Sequence, residues 1–424
     1  MSWRRQIGLP HDGPMRTHGH VARTAAALAS AMGIGRFVYT PILPLMSAQA
    51  GLNAHDAAIL ATANYVGYLA GALAGSISPR LSRSIMACRV CLLAMAASLA
   101  AMPLSTNTIE WVVLRGVAGF ASALVFVIAV NTMLEHLHGH PAHLAGWGFG
   151  GVGAGIALSA LLVLATGDWK VAWWASAAVA ALLGACAWSM PASPHPAAAT
   201  PATETRPAHG PFTLLLTGYT LEGVGYIIAG TFLVAAVAEG APGWLGGSTW
   251  LVVGLATVPS AALWAALSSR WSHPALLVAA LALQAVGIAV AGAVGGVTAA
   301  LVGAVLFGGT FIGVSTLALA AGRLLRYPRA VALLTTGYSV GQIAGPVVVA
   351  PLLHRGFAPA LLVGAVVVLA AAVVCGVMRV VFRQPDVGGI EPEIADTAGE
   401  LVDHGEDGRG GLVTTPHQRP GPQR

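Results

Sequence analysis

The stretch LASAMGIGRFVYTPILPLM, Leu28 to Met46, is apolar on both sides of a single charge, Arg36. Extended back to Val21, it is long enough for a helix to cross a hydrocarbon core of roughly 30 Å, which takes about 20 apolar residues. Arg36 then lies well inside the membrane, where insertion scales put the cost of an arginine at about 2.5–3.5 kcal/mol. A chain accepts that cost when the charge has a partner or a use. Gly33 and Gly35 before the arginine and Pro41 after it weaken the helix locally. That suits a place where a ligand or another helix comes close.

The stretch has an echo about 190 residues later, where Gly223-Val224-Gly225-Tyr226 aligns with Gly33-Ile34-Gly35-Arg36. The first copy carries an embedded cation and the second, at Glu222, an anion. Composition supports a membrane protein independently. Hydrophobic residues make up 56% of the 424 and charged residues 9%, against about 25% charged in a soluble domain. Mean hydropathy is +0.75 and the pI about 9.3.

Twelve apolar segments are expected, at 21–48, 57–78, 85–105, 108–134, 143–166, 169–190, 212–238, 246–268, 274–295, 298–321, 329–353 and 357–381. Residues 1–20 read as a cytoplasmic N-terminal tail and 191–211 as a Pro/Ala/Thr-rich linker that divides the spans six and six. Residues 383–424 read as a disordered cytoplasmic tail, holding eight of the sixteen acidic residues. The organisation is thus a bundle at 21–190 and another at 212–382. With both ends inside, the inner face collects nearly all loop arginines and the outer face only Lys170 and Arg355, a strong positive-inside asymmetry. The halves repeat further. Ser78-Pro79-Arg80 recurs as Ser268-Ser269-Arg270, and Gly146-Trp147-Gly148 as Gly337-Tyr338-Ser339, at nearly the same offset.

Among residues that could carry chemistry, Arg36 reads either as a structural charge, satisfied by carbonyls or Tyr39, or as the group that binds an anionic substrate or pairs with Glu222. Glu222 is the one carboxylate expected near mid-membrane. An apolar surrounding disfavours its charged form, so it can take up a proton near neutral pH. Arg115, early in the fourth span, either joins the pathway or snorkels to the outer interface. Tyr39, Asn64, Tyr65, Tyr68, Asn131, Tyr219, Tyr226, Tyr338 and Gln342 could line a cavity or bind helices together. Gly67, Gly71 and Gly75, and Gly337, Gly341 and Gly345, recur every four residues. They are helix-packing faces, either static or a sliding surface between halves. The Cys88/Cys91 pair has no preceding strand and reads as packing. The histidines at 136, 138, 140 and 143 lack the further ligands a metal site needs, apart from Glu135. No metal and no cofactor is expected. No phosphate loop exists, since Lys170 is the only lysine. Nothing resembles a nucleic-acid surface.

Several segments together resemble the major facilitator superfamily and, within it, the YbfB/YjiJ family of bacterial transporters. They are GIGRFVYTPILPLM (33–46), ANYVGYLAGAL (63–73), GWGFGGVGAGIALSAL (146–161), FGGTFIGVSTLAL (307–319) and GYSVGQIAGP (337–346). The resemblance implies an all-α integral membrane fold of twelve transmembrane helices in two pseudo-symmetric six-helix bundles. It also implies alternating access and a central cavity lined by spans 1, 4, 7 and 10. Arg115 with Gly119 is similar to the superfamily's fourth-span arginine motif, which is linked to proton coupling. The fifth span is similar to the glycine motif of antiporters, without its proline. The loop after span two departs from the superfamily pattern, with Pro79 in place of an aspartate and Ser82 in place of a glycine.

The expectation is therefore a monomeric, proton-coupled secondary transporter of a small organic molecule in the bacterial inner membrane, with export favoured. Its partners are substrate, protons and the lipid bilayer. The alternatives are a proton-independent organic-anion carrier using Arg36 and Arg115, and a non-transporting receptor of the same fold. An enzyme is not expected, since no nucleophile–base pair or metal set lies at one depth.

Overall fold

A computed structural model describes residues 14–381 apart from 79, 138, 139, 141, 191–208, 241, 242, 326, 328 and 329. Among the described residues, twelve helices are long and apolar enough to cross a membrane. In the first half they are α1 (Thr17–Gln49), α2 (Ala54–Ile77), α3 (Ile85–Leu104), α4 (Thr108–His136), α5 (His143–Thr166) and α6 (Trp169–Ala187). In the second they are α7 (His209–Glu239), α8 (Trp244–Leu267), α9 (His273–Ala293), α10 (Gly296–Leu324), α11 (Ala330–Arg355) and α12 (Ala358–Val380). Lipid offers no hydrogen-bond partner, so each span satisfies its backbone internally as a helix. The spans coincide with the apolar segments of the sequence to within four residues at each end.

Two ends differ from expectation. The first helix begins at Pro14, inside the anticipated tail, because polar residues can extend a helix once it leaves the hydrocarbon. His209–Pro211, assigned to the linker, open α7. The rest of the linker, residues 1–13 and the C-terminal tail lie outside the described residues.

Sequence chemistry marks the helix ends. Asn53, Ser84, Asn107 and Asp168 each cap a helix by accepting from backbone N–H groups of its first turn. Gly51, Gly167, Gly295 and Gly356 follow α1, α5, α9 and α11 with positive φ. All four turns lie at the face opposite the one where α1 begins.

The halves share one plan. In the first, α1 packs on α5 and α6, α2 on α4, and α3 on α4 and α6. In the second, α7 packs on α11 and α12, α8 on α10, and α9 on α10 and α12. Every one of these contacts recurs six spans on. The halves meet along α5 with α8, α2 with α11 and α1 with α7.

The glycines explain the close approaches. Gly67, Gly71 and Gly75 lie against Gly116, Phe120, Leu124 and Val127 of α4, and Gly337, Gly341 and Gly345 lie against α7 from Leu216 to Ile228. Both faces thus pack inside their own half rather than between the halves. The close contact between the halves is formed by α5 and α8, where Gly146 meets Ala262, Gly150 and Gly153 meet Val258, and Gly254 meets Ala157.

Candidate functional site

The site is built on a break in α1. Ala29–Ile34 form a π-helical turn, and regular helix resumes at Tyr39. Gly33 causes part of this, since it lies so close to α5 that a Cβ there would stand 2.5 Å from the Gly155 Cα. Pro41 causes the rest. It has no N–H to donate to the Phe37 carbonyl, which takes the N–H of Thr40 instead at 3.2 Å. The carbonyls of Gly35 and Arg36 are thereby left without their usual helical donors, and Arg115 supplies them. Its Nη1 donates to Gly35 O at 3.3 Å and its Nη2 to Arg36 O at 3.1 Å. Arg115 is 1% exposed and lies over the Tyr39 ring at 5.0 Å, so it does not snorkel to an interface. Tyr39 in turn donates to Ala57 O at 3.0 Å.

Arg36 projects from this break into the seam between the halves and is 3% exposed. Its Nη2 donates to Gln342 Oε1 on α11. Its guanidinium lies 4.0 Å from the Tyr68 ring centroid and 5.2 Å from those of Tyr65 and Phe37. Stacked aromatic faces offset part of the cost of burying the cation. The Arg36 Nε, Gln342 Nε2 and Ser339 Oγ have no hydrogen-bond partner among the described residues. Asn64 donates to Arg115 O at 2.9 Å, tying α2 to α4, while its own Oδ1 is unpartnered among them.

On the opposite side, rings from α7, α10 and α11 form a near-parallel column. Tyr219 stacks on Tyr338 at 4.5 Å, Tyr338 on Tyr226 at 5.6 Å, and Tyr226 on Phe311 at 4.9 Å. Two further hydrogen bonds join the halves beside Arg36. Thr40 Oγ1 donates to Gly230 O at 2.5 Å, and the hydroxyls of Tyr65 and Thr231 are 2.7 Å apart. Phe37 packs edge-on against Trp250 and Phe311.

Glu222 is completely buried in the second half. Gln284 Nε2 on α9 donates to its Oε1 at 3.4 Å, and its Oε2 has no partner among the described residues. Among the same residues, no ion pair joins Arg36 to Glu222; each is held by a glutamine. The anticipated counter-ion pair is therefore absent from this conformation, because Arg36 faces the seam and Glu222 the interior of the second bundle.

The remaining features lie elsewhere. A groove of about 720 Å³ opens between α2, α4 and α11, lined by apolar side chains apart from His55 and Thr62. It has almost nothing polar with which to select a solute. Arg83, in the loop after α2, pairs with Glu135 at the end of α4 at 3.7 Å, half-exposed. His136 hydrogen-bonds to Thr132 O at 2.7 Å and its ring meets that of His20. No three metal-capable side chains gather among the described residues.

Two pseudo-symmetric six-helix bundles with a charged, glycine-broken first span at their seam define the fold of a major facilitator. The comparisons agree. Residues 28–376 match the family described as uncharacterised MFS-type transporter YbfB, and the chain belongs to that family. A solved structure with the same fold is that of a mutant form of the nucleoside transporter NupG. Its TM-score is 0.65 and its identity 12%, covering 84% of this chain and 99% of that one. A comparison with curated proteins gives no match. The protein is thus a multi-pass membrane transporter by family and fold.

Proposed function

We propose that this protein is a secondary active transporter of a small organic anion, working by alternating access in the bacterial inner membrane with both termini cytoplasmic. The observation that carries the reading is Arg36. It is a buried cation at the seam of the halves whose polar partners, the Gln342 amide and the Tyr68 phenol, are neutral and whose Nε is unpartnered among the described residues. A guanidinium so placed favours a carboxylate or phosphate, which supplies both charge and paired acceptors. Tyr65, Tyr68, Tyr226 and Gln342 would flank the bound solute. Arg115 fixes the backbone that presents Arg36. Transport is proton-coupled through Glu222, and the arginine distribution supports the orientation. Export is favoured over import by the likeness of α5 to the antiporter glycine motif. No catalytic role is proposed.

The test is ligand-induced thermal stabilisation of the purified protein, since binding to the folded state raises apparent stability by mass action. Organic anions are expected to stabilise, their neutral analogues not, and Arg36→Ala to abolish the effect. Equal stabilisation of Arg36→Ala would remove the arginine from the site. The separation of Arg36 from Glu222 favours one second reading, an anion carrier without proton coupling. Transport by Glu222→Gln at unchanged rate and pH dependence would establish that alternative.

A further inference from the structure

Glu222 and Gln284 leave complementary atoms unpaired, and we infer that Glu222 is uncharged in this conformation, with its carboxyl proton held by Gln284 in a closed acid–amide pair. One bond of the pair is present, from Gln284 Nε2 to Glu222 Oε1 at 3.4 Å. The two atoms that would form the other, Glu222 Oε2 and Gln284 Oε1, are buried and without a partner among the described residues. Both residues are fully buried. An ionised carboxylate offers only acceptors, whereas a protonated one carries an O–H donor. One proton on Oε2, donated to Gln284 Oε1, satisfies both atoms. An ionised Glu222 would instead leave both unpaired and a bare charge in an apolar interior.

Among the described residues, nothing else nearby could neutralise that charge. The titratable groups close enough to feel the charge of Glu222 are Tyr219 and Tyr226 on α7, Tyr338 on α11 and Cys375 on α12. Phenols and a thiol carry no positive charge in either protonation state. From α10 comes the hydroxyl of Ser315, bonded to Tyr219. Arg36 shares the neighbours Tyr226 and Tyr338, but its guanidinium engages Gln342 across the seam.

This deepens the proposed function and rests on its assignment of Glu222 as the proton carrier. It adds where the proton sits and names Gln284 as the residue that positions it. Deprotonation would set the amide oxygen against a second acceptor. The proton can therefore leave only with rearrangement or hydration between α7 and α9.

The test is infrared spectroscopy of the full chain in lipid nanodiscs at neutral pH, in water and in deuterium oxide. Wild type minus Glu222→Gln is expected to show one carbonyl stretch of a protonated carboxylic acid, sensitive to deuteration. In Gln284→Leu that band should move to higher frequency, as an acid losing its hydrogen-bond partner does. Gln284→Asn keeps an amide too short for both bonds, and serves if the leucine variant does not fold. Carboxylate bands in place of the acid band in wild type would overturn the inference. So would an acid band unmoved by the Gln284 substitutions. An acid band that moves as expected, in a protein whose transport ignores Glu222→Gln, would keep the pair and discard proton coupling.

Discussion

Arg36 and Arg115 have the same charge and lie in one neighbourhood, yet they are held in different ways. Arg36 was legible in the sequence, because one charge in an apolar span draws attention by itself. The task of Arg115 was not, since its partners are backbone carbonyls, which no side-chain pattern reveals. The signal was Pro41, whose missing N–H disrupts the hydrogen bonding of the preceding turn. Removing the guanidinium in Arg115→Ala leaves Gly35 O and Arg36 O buried without donors, a loss of about 1–3 kcal/mol for each carbonyl. Unfolding in detergent should register it, and Arg115→Lys should recover only part, since one ammonium does not reproduce the planar fork. An Arg115→Ala protein as stable as wild type would mean that the break in α1 holds itself. Gln342 offers a second test. Gln342→Glu converts the amide on Arg36 into an ion pair across the seam. That should raise the thermal midpoint and slow transport about tenfold, equivalent to about 1.4 kcal/mol of bias toward this conformation. Unchanged transport would show that the Arg36–Gln342 contact need not open during the cycle.

At the scale of the helices, hydropathy revealed the spans because a membrane imposes a minimum apolar length on each. It did not reveal which small-residue face meets which helix. The regular Gly67, Gly71 and Gly75 series drew attention, but it packs on α4 inside its own half. The contact between the halves relies on Gly153 and on Gly254, whose surroundings in α8 show no such regularity. A Cβ at Gly153 would stand 2.5 Å from Val258 N and 2.6 Å from Gly254 O. Both obstacles are backbone, so no rotamer change relieves them. Gly153→Ala should therefore push α5 from α8 and cost about 1–3 kcal/mol, the usual range for overpacking. Gly309→Ala is the matched control, because a Cβ there meets nothing within 4 Å. If the two variants unfold at the same temperature, the α5–α8 contact has slack enough to absorb a methyl group.

At the scale of the molecule, the repeated glycine and arginine segments already indicated two copies of one unit. The conformation they adopt could not be read there, since one sequence serves every conformation the chain takes up. Here Arg36–Gln342, Thr40–Gly230 and Tyr65–Thr231 join α1 and α2 to α7 and α11. Phe37 packs beside them on α8 and α10. Two neutral hydrogen bonds at about 0.5–1.5 kcal/mol each and one from the charged Arg36 at about 1.5–3 kcal/mol contribute about 2.5–6 kcal/mol together. That is small enough for the differential affinity of a bound solute to overcome. If these contacts must part in every cycle, a covalent link beside them should stop it. Thr40 Oγ1 is 2.5 Å from Gly230 O, and a Cβ at Gly230 would meet nothing closer than 3.8 Å. That Cβ would face Tyr226, Ile227 and Phe307, so loss of free thiols on oxidation of Thr40→Cys with Gly230→Cys is measured first, to establish that the link forms. Cys186, the exposed native thiol, would be changed to serine to prevent competition. Oxidation should abolish transport of an anion identified by the binding screen, and reduction should restore it. Full transport by the oxidised protein would show that α1 and α7 move as one body, leaving α5–α8 and α2–α11 as the surfaces that open.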